Sequence, residues 1–137
     1  ITDLQSGLGL GQLKYIRPRV ARMKRNYSLY TKHLADVGDI RVFPTKPGEL
    51  PQWTDIETAH RDELEAYLTK NLIDTRKYWL PLHQQKAYFQ SAKNFPESTR
   101  MSPRCLWLPS AFTLTDKDIL TVCNTIKKFF SDSAHRS

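Results

Sequence analysis

Apolar positions early in the chain fall at alternating spacings of three and four. Leu13, Ile16, Val20, Met23, Tyr27, Tyr30 and Leu34 share one helical stripe, and the arginines and lysines between them fall mostly off it. The spacing predicts one long helix over residues 3–35. Pro18 lies inside the pattern and lacks the backbone donor that Lys14 would use, so a kink is expected near Lys14. Gly38 is placed to close the helix. Ile40 to Phe43 then reads as a short strand, and Pro44, Pro47, Gly48 and Pro51 as a loop. Trp53 to Thr58 is a second strand, with Asp55 and Glu57 giving it one face in water. Thr58 is expected to cap a helix that turns Leu64, Tyr67, Leu68 and Leu72 inward, with Asn71 taking a left-handed backbone at its end. Ile73 to Leu80 is rich in residues that favour extended backbone, and Pro81 ends that strand.

The second half repeats the alternation of strand and helix. Gln90 to Arg104 is polar, carries Pro96 and Pro103, and reads as a surface loop. Cys105 to Leu108 is an apolar strand ended by Pro109. Thr115 opens the last helix with Asp118 three residues on, a variant of the capping box. Ile119, Val122, Cys123, Ile126 and Phe130 form its inward stripe, and Ser131 to Ser137 have nothing to bury. The order helix, strand, strand, helix, strand, strand, helix predicts an α+β fold. The expected form is a small, mostly antiparallel sheet with helices on one face, preceded by a long N-terminal helix. Residues 1–131 make one domain, with 1–35 as that helix, and 132–137 a frayed tail.

Composition adds limits. The sequence has 137 residues, enough for one core, and a formal net charge of +7. Lys14, Arg17, Arg19, Arg22, Lys24 and Arg25 supply much of the charge. A solvated helix face accounts for them, and the interleaved aromatics of a single-strand platform are missing, so nucleic acid is not expected as a partner. No apolar run approaches the roughly 20 residues of a bilayer span, and no secretion signal opens the chain. Cys105 and Cys123 read as reduced core residues of a cytoplasmic protein. His33, His60, His83 and His135 show no ligand spacing, so no metal is expected. No serine sits in a nucleophile elbow. His83 lies on the stiff connection just past a strand end, a position that can face a ligand and equally suits a satisfied surface histidine.

Four stretches carry a family resemblance. Ile73 to Tyr88 (IDTRKYWLPLHQQKAY) resembles the "IDTR-x-aromatic-x-PLH-x-Q-x-AY" segment of the DegT/DnrJ/EryC1/StrS sugar aminotransferases, in their perosamine-synthetase-like branch. TDLQSGLGLGQL at the start, PQWTD with RDEL, and LWLPS with LTD are similar to that family's segments in the same order. Pro18 and Leu72 depart from its pattern. The resemblance implies the C-terminal small domain of a fold-type I, pyridoxal-phosphate (PLP) aminotransferase, which moves an amino group from glutamate to a nucleotide-linked keto sugar in polysaccharide or antibiotic synthesis. It implies that the PLP lysine and phosphate pocket belong to a large N-terminal domain, so this chain alone should bind no cofactor and be inactive.

The resemblance also implies where the substrate would be met. His83 would face the sugar nucleotide. Arg76 would be a fixed cation for phosphate or carboxylate, with a surface salt bridge as the alternative. Tyr78 and Trp79 alternate faces, so one would line the site and the other fill the core. The partners implied are a nucleotide sugar, a PLP-bearing chain, and a second copy docking through residues 1–16, where Leu4, Leu8 and Leu10 point to several sides. Two other readings stay open. One is a free-standing module binding a nucleotide sugar or nucleic acid. The other is the non-catalytic subunit of a split aminotransferase.

Overall fold

The structure, a computed structural model, describes residues 2–134. Helix α1 spans Asp3–Leu13 and α2 spans Ile16–Leu34. A capping box between Thr2 and Gln5 starts α1. The expected kink is a full break at Lys14 and Tyr15, where Pro18 has no amide to give to the Lys14 carbonyl. Only the second half of the predicted stripe is buried. Leu29, Tyr30 and Leu34 enter the core, while Leu13 and Ile16 are exposed, because α1 and the start of α2 project past the domain body. Asn26 is buried too, and its Nδ2 donates to the Ala111 carbonyl at 3.0 Å.

The strands are β1 (Arg41–Val42), β2 (Thr54–Glu57), β3 (Arg76–Lys77) and β4 (Cys105–Leu108). They form one antiparallel sheet in the order β1-β2-β4-β3. Ile56 stands opposite Leu106 and Thr54 opposite Leu108, so Ile56, Leu106 and Leu108 face the helices together. That face is covered by α2, by α3 (Arg61–Lys70) and by α5 (Asp116–Ala134). Ile56, Leu64, Leu106, Ile119 and Ile126 are fully buried. Each such side chain stabilises the fold by about 1.5–3 kcal/mol before chain entropy is set against it. The α+β fold and its one-sided helical layer are as expected.

Several local expectations need correction. Gly38 does follow α2 with φ +51°, and an added Cβ would lie 2.5 Å from the Phe130 ring, so no side chain fits there. Thr58 does not occupy the cap position of α3, which falls at His60. Its buried hydroxyl instead accepts from the His60 amide at 3.1 Å and donates to Asp39 at 2.6 Å. Leu72, not Asn71, takes the left-handed backbone, with φ 58°, and is 96 % exposed. It sits where the turn must reverse so that the Ile73 amide can return to the Leu68 carbonyl at 3.0 Å. Glu57 does not face water. It is buried beneath Arg41, Arg100 and Arg104.

Residues 90–104 are not an irregular loop. They hold a short helix α4 (Pro96–Met101), opened by Pro96 at its first turn, between single 3-10 turns at Ala92–Asn94 and Ser102–Arg104. Thr115 and Asp118 exchange their hydrogen bonds as the capping pattern predicts. In α5 it is Phe129 that joins the buried cluster, while Phe130 is only partly buried. The helix continues to Ala134, past the expected start of fraying at Ser131; residues 135–137 of the expected tail lie outside the described residues. No described helix is long and apolar enough to cross a membrane.

Candidate functional site

Side-chain alternation in β2 and β4 sends Asp55, Glu57, Cys105 and Trp107 to the sheet face away from the helices. Asp55, Trp107 and Arg76 stand in one row across β2, β4 and β3. Three tryptophans meet there. Trp53 stacks on Trp107 with ring centres 4.7 Å apart, and Trp79 meets Trp107 edge-on at 4.7 Å. Tyr78 adds a second edge at 5.6 Å. Trp107 is thereby buried, while Trp53, Trp79 and Tyr78 remain 41 %, 57 % and 39 % exposed. The alternation expected to bury one of Tyr78 and Trp79 does not do so. Strand β3 ends at Lys77, and both rings lean on Trp107 from beyond its end.

Arg76 is held by the rings and not by a carboxylate. Its guanidinium lies 5.3 Å from the Trp107 ring centre and 5.6 Å from that of Trp79. No described carboxylate lies within salt-bridge distance of it. The neighbouring Lys77 is different, because Glu65 at 2.9 Å and Asp62 at 3.0 Å both pair with it and raise its pKa. Arg76 thus presents a positioned, uncompensated cation beside a flat aromatic surface. Such an arrangement suits a phosphate or a carboxylate.

Asp55 faces the same side. Burial pushes its pKa up to about 6, and its Oδ1 has no hydrogen-bond partner. The folded state therefore keeps a proton that the unfolded chain releases near pH 4. Stability falls as pH rises from about 4 to 6, and the loss is complete above that range. Asp55→Asn is expected to raise stability at pH 7 by about 1–2 kcal/mol and to change little at pH 4. Urea unfolding at the two pH values measures this, and an equal effect at both would contradict it.

His83 lies elsewhere. It sits in the 3-10 turn Leu82–Gln84 after Pro81, and its ring is buried. It stacks on Phe95 at 4.8 Å, and Nε2 is 3.0 Å from the Thr99 hydroxyl. That hydroxyl donates to the Phe95 carbonyl at 2.7 Å, so its oxygen is left to accept from Nε2–H. The ring lines a mostly apolar groove of about 460 Å³ with Leu82, Tyr88 and Phe95. Arg76, Tyr78 and Trp79 therefore gather around Trp107, while His83 belongs to a second groove. Trp53, Trp107 and Asp55 stand in the site although sequence reasoning did not select them. The signal was present in the two-residue spacing of Trp53 and Asp55 and in Trp107 at the middle of an apolar strand.

The resemblance implies covalent PLP chemistry in the intact family enzymes. That chemistry needs an enclosed lysine facing an acid and a phosphate pocket. Every described lysine is exposed except Lys127, which is half-buried at an open groove with His33, Asp36 and His60. Thiol chemistry is also disfavoured, since burial pushes Cys123 up to about 11 and raises Cys105 as well. No described cluster of three His, Cys, Asp or Glu side chains could hold a metal.

Known proteins share the sequence pattern and fold of this chain. The chain is similar to the GDP-perosamine synthase of Vibrio cholerae, 29% identical over 141 residues, which cover 96% of this chain and 38% of that protein. The GDP-perosamine synthase of Escherichia coli O157:H7 is 24% identical over 135 residues, 96% of this chain and 37% of that protein. The chain thus spans less than two-fifths of the length of the curated relatives it matches. Among solved structures, a DegT DnrJ EryC1 StrS aminotransferase from Brucella abortus superposes with a TM-score of 0.80 at 27% identity, over 88% of this chain and 34% of that one. Residues 1–127 match the profile of the DegT/DnrJ/EryC1/StrS aminotransferase family, and the chain belongs to that family.

Proposed function

We propose that this chain is the small, substrate-facing domain of a PLP-dependent aminotransferase that aminates a nucleotide-linked keto sugar. The observation that carries the reading is Arg76, an uncompensated cation fixed on an aromatic face, in a chain of this family. Arg76 would hold an anionic group of the substrate, and Trp79 and Tyr78 would exclude water beside it. His83 would face the sugar from the adjoining turn, donating from Nε2 to Thr99 and keeping Nδ1 for the ligand. The cofactor, when bound, supplies the amino-transfer chemistry, and a separate PLP-bearing domain would hold it.

The reading includes partners and setting. Helix α1 has no buried residue, and Leu4, Leu8 and Leu10 stand exposed along it. We expect a PLP-bearing domain and a second copy to cover this helix, giving a homodimer. The buried, unpaired Cys105 and Cys123 fit a cytoplasmic setting. Arg22 and Arg25 are paired with Asp116 at 2.7 and 2.8 Å, which leaves the basic helix less available to nucleic acid.

By itself the 137-residue chain is expected to be inactive. Mixing it with PLP, reducing with borohydride and mapping the peptides should give only scattered, partial labelling of exposed lysines. One stoichiometric pyridoxyl-lysine would contradict the reading.

A further inference from the structure

A groove of about 880 Å³ opens between the end of α2, the start of α3 and the last turns of α5, within the size range of small-ligand pockets. Its floor is apolar. Gly38 has no side chain, so the Phe130 ring lies directly on the backbone there, and Val37 lines the groove with it. His60 meets the same ring edge-on, with ring centres 6.1 Å apart. The rim is charged. Lys32 comes from α2 and Lys127 from α5, and no described carboxylate lies within salt-bridge distance of either. His33 adds a second imidazole. Two carboxylates also line the groove, and they differ. Asp39 turns both oxygens to the chain, accepting from the Thr58 hydroxyl and from the Ala59 amide, each at 2.6 Å. Asp36 is exposed, with no described ion pair.

We propose that this groove binds a small aromatic carboxylate, with its ring on Phe130 and Val37 and its charge between Lys32 and Lys127. With Asp39 turned to the chain, two ammonium groups face one free carboxylate, that of Asp36. The surplus is a single positive charge, which matches a monoanion. A dianion would bring a second negative charge toward Asp36 with no further lysine to meet it. The ammonium groups act as point charges, and the imidazoles of His33 and His60 add N–H donors at the rim. A flat ring suits the floor, because aromatic pairs gain from offset or edge-on contact beyond the area they bury. The site is independent of the proposed function, which uses none of these residues.

Amide NMR spectra of the full chain, titrated with naphthoate, naphthamide and naphthyl phosphate, test the place of the ligand and its charge together. Naphthoate is expected to bind with a Kd of about 1 mM, and to shift the amides of His33, Val37, His60 and Phe130. Naphthamide, the same ring without the charge, should bind about 3- to 10-fold more weakly. Naphthyl phosphate should bind no more tightly than naphthoate. Lys127→Gln should weaken naphthoate by about 3- to 10-fold, and Asp36→Asn should tighten it by about 2- to 3-fold. Neither substitution should change the binding of naphthamide. Dispersed spectra establish that each variant is folded. Shifts that do not saturate at about ten times the expected Kd overturn the site, as do shifts centred on Arg76 and Trp107 instead. Naphthamide binding as tight as that of naphthoate overturns the role of the lysines. Tighter binding of naphthyl phosphate overturns the choice of a monoanion. Naphthoate binding that ignores both Lys127→Gln and Asp36→Asn overturns the placement of the charge.

Discussion

Glu57→Gln is expected to destabilise the fold by about 2–3 kcal/mol at pH 7. Glu57 is a side chain that water barely reaches, on the same sheet face as Trp107. Arg41 Nε donates to it at 2.9 Å, Arg104 Nε at 3.1 Å and Arg100 Nη1 at 3.4 Å. Burial alone would raise its pKa, but the Arg41 and Arg104 hydrogen bonds outweigh that and hold it below the usual carboxylate range. The three arginines come from β1, the end of α4 and the turn before β4, so one carboxylate ties three segments to β2. Removing one partner of a buried ion cluster costs more than an exposed pair contributes, because the remaining charges lose their counter-ion. The half-exposed arginines can turn back to water, which keeps the cost below the upper end for buried pairs.

The pH dependence of this group has the opposite sign to that of Asp55. A lowered carboxylate pKa contributes stability above the unfolded value, and that contribution is lost as pH falls through the folded value. Glu57→Gln should therefore flatten the acid side of the stability profile, whereas Asp55→Asn flattens the fall between about pH 4 and 6. Urea midpoints from pH 3 to 8 for both variants measure this. A Glu57→Gln variant within about 0.5 kcal/mol of the parent at pH 7 would show that the cluster is solvated and structurally idle.

Much of this architecture was legible in the sequence because it depends on period. The stripes of α2 and α5 and the apolar run of β4 mark elements whose burial is set by their own pattern. The break near Lys14 follows from Pro18 alone. The errors occur where long-range contacts decide. Glu57 reads as a solvent-facing residue until Arg100 and Arg104 arrive from more than forty residues away. Leu72 reads as the next inward leucine, but the turn to β3 needs a left-handed residue at that point. Residues 90–104 read as a loop because no periodic face is visible in so short a helix. The candidate site was half legible. Arg76, Tyr78 and Trp79 lie in one motif, but Trp53 and Trp107 are distant in sequence and meet them only through strand pairing.

The largest effect is expected when a PLP-bearing domain is restored. The V. cholerae GDP-perosamine synthase matches this chain over 38% of its length, and the matched part gives the measurement its design. Replacing that part by residues 1–137 yields a chimera with the synthase's own remaining domain. The proposed function assigns substrate positioning to the replaced part and cofactor chemistry to the remainder. Positioning of bound reactants can be worth several orders of magnitude in rate. Amino transfer from glutamate to a nucleotide-linked keto sugar, the reaction of the proposed function, is therefore expected to exceed that of the truncated synthase by at least about 100-fold. Arg76→Gln in the chimera is expected to raise KM for the nucleotide sugar more than it lowers kcat. A soluble, cofactor-loaded chimera that turns over no faster than the truncated synthase would contradict the assignment of this chain as the substrate-facing domain.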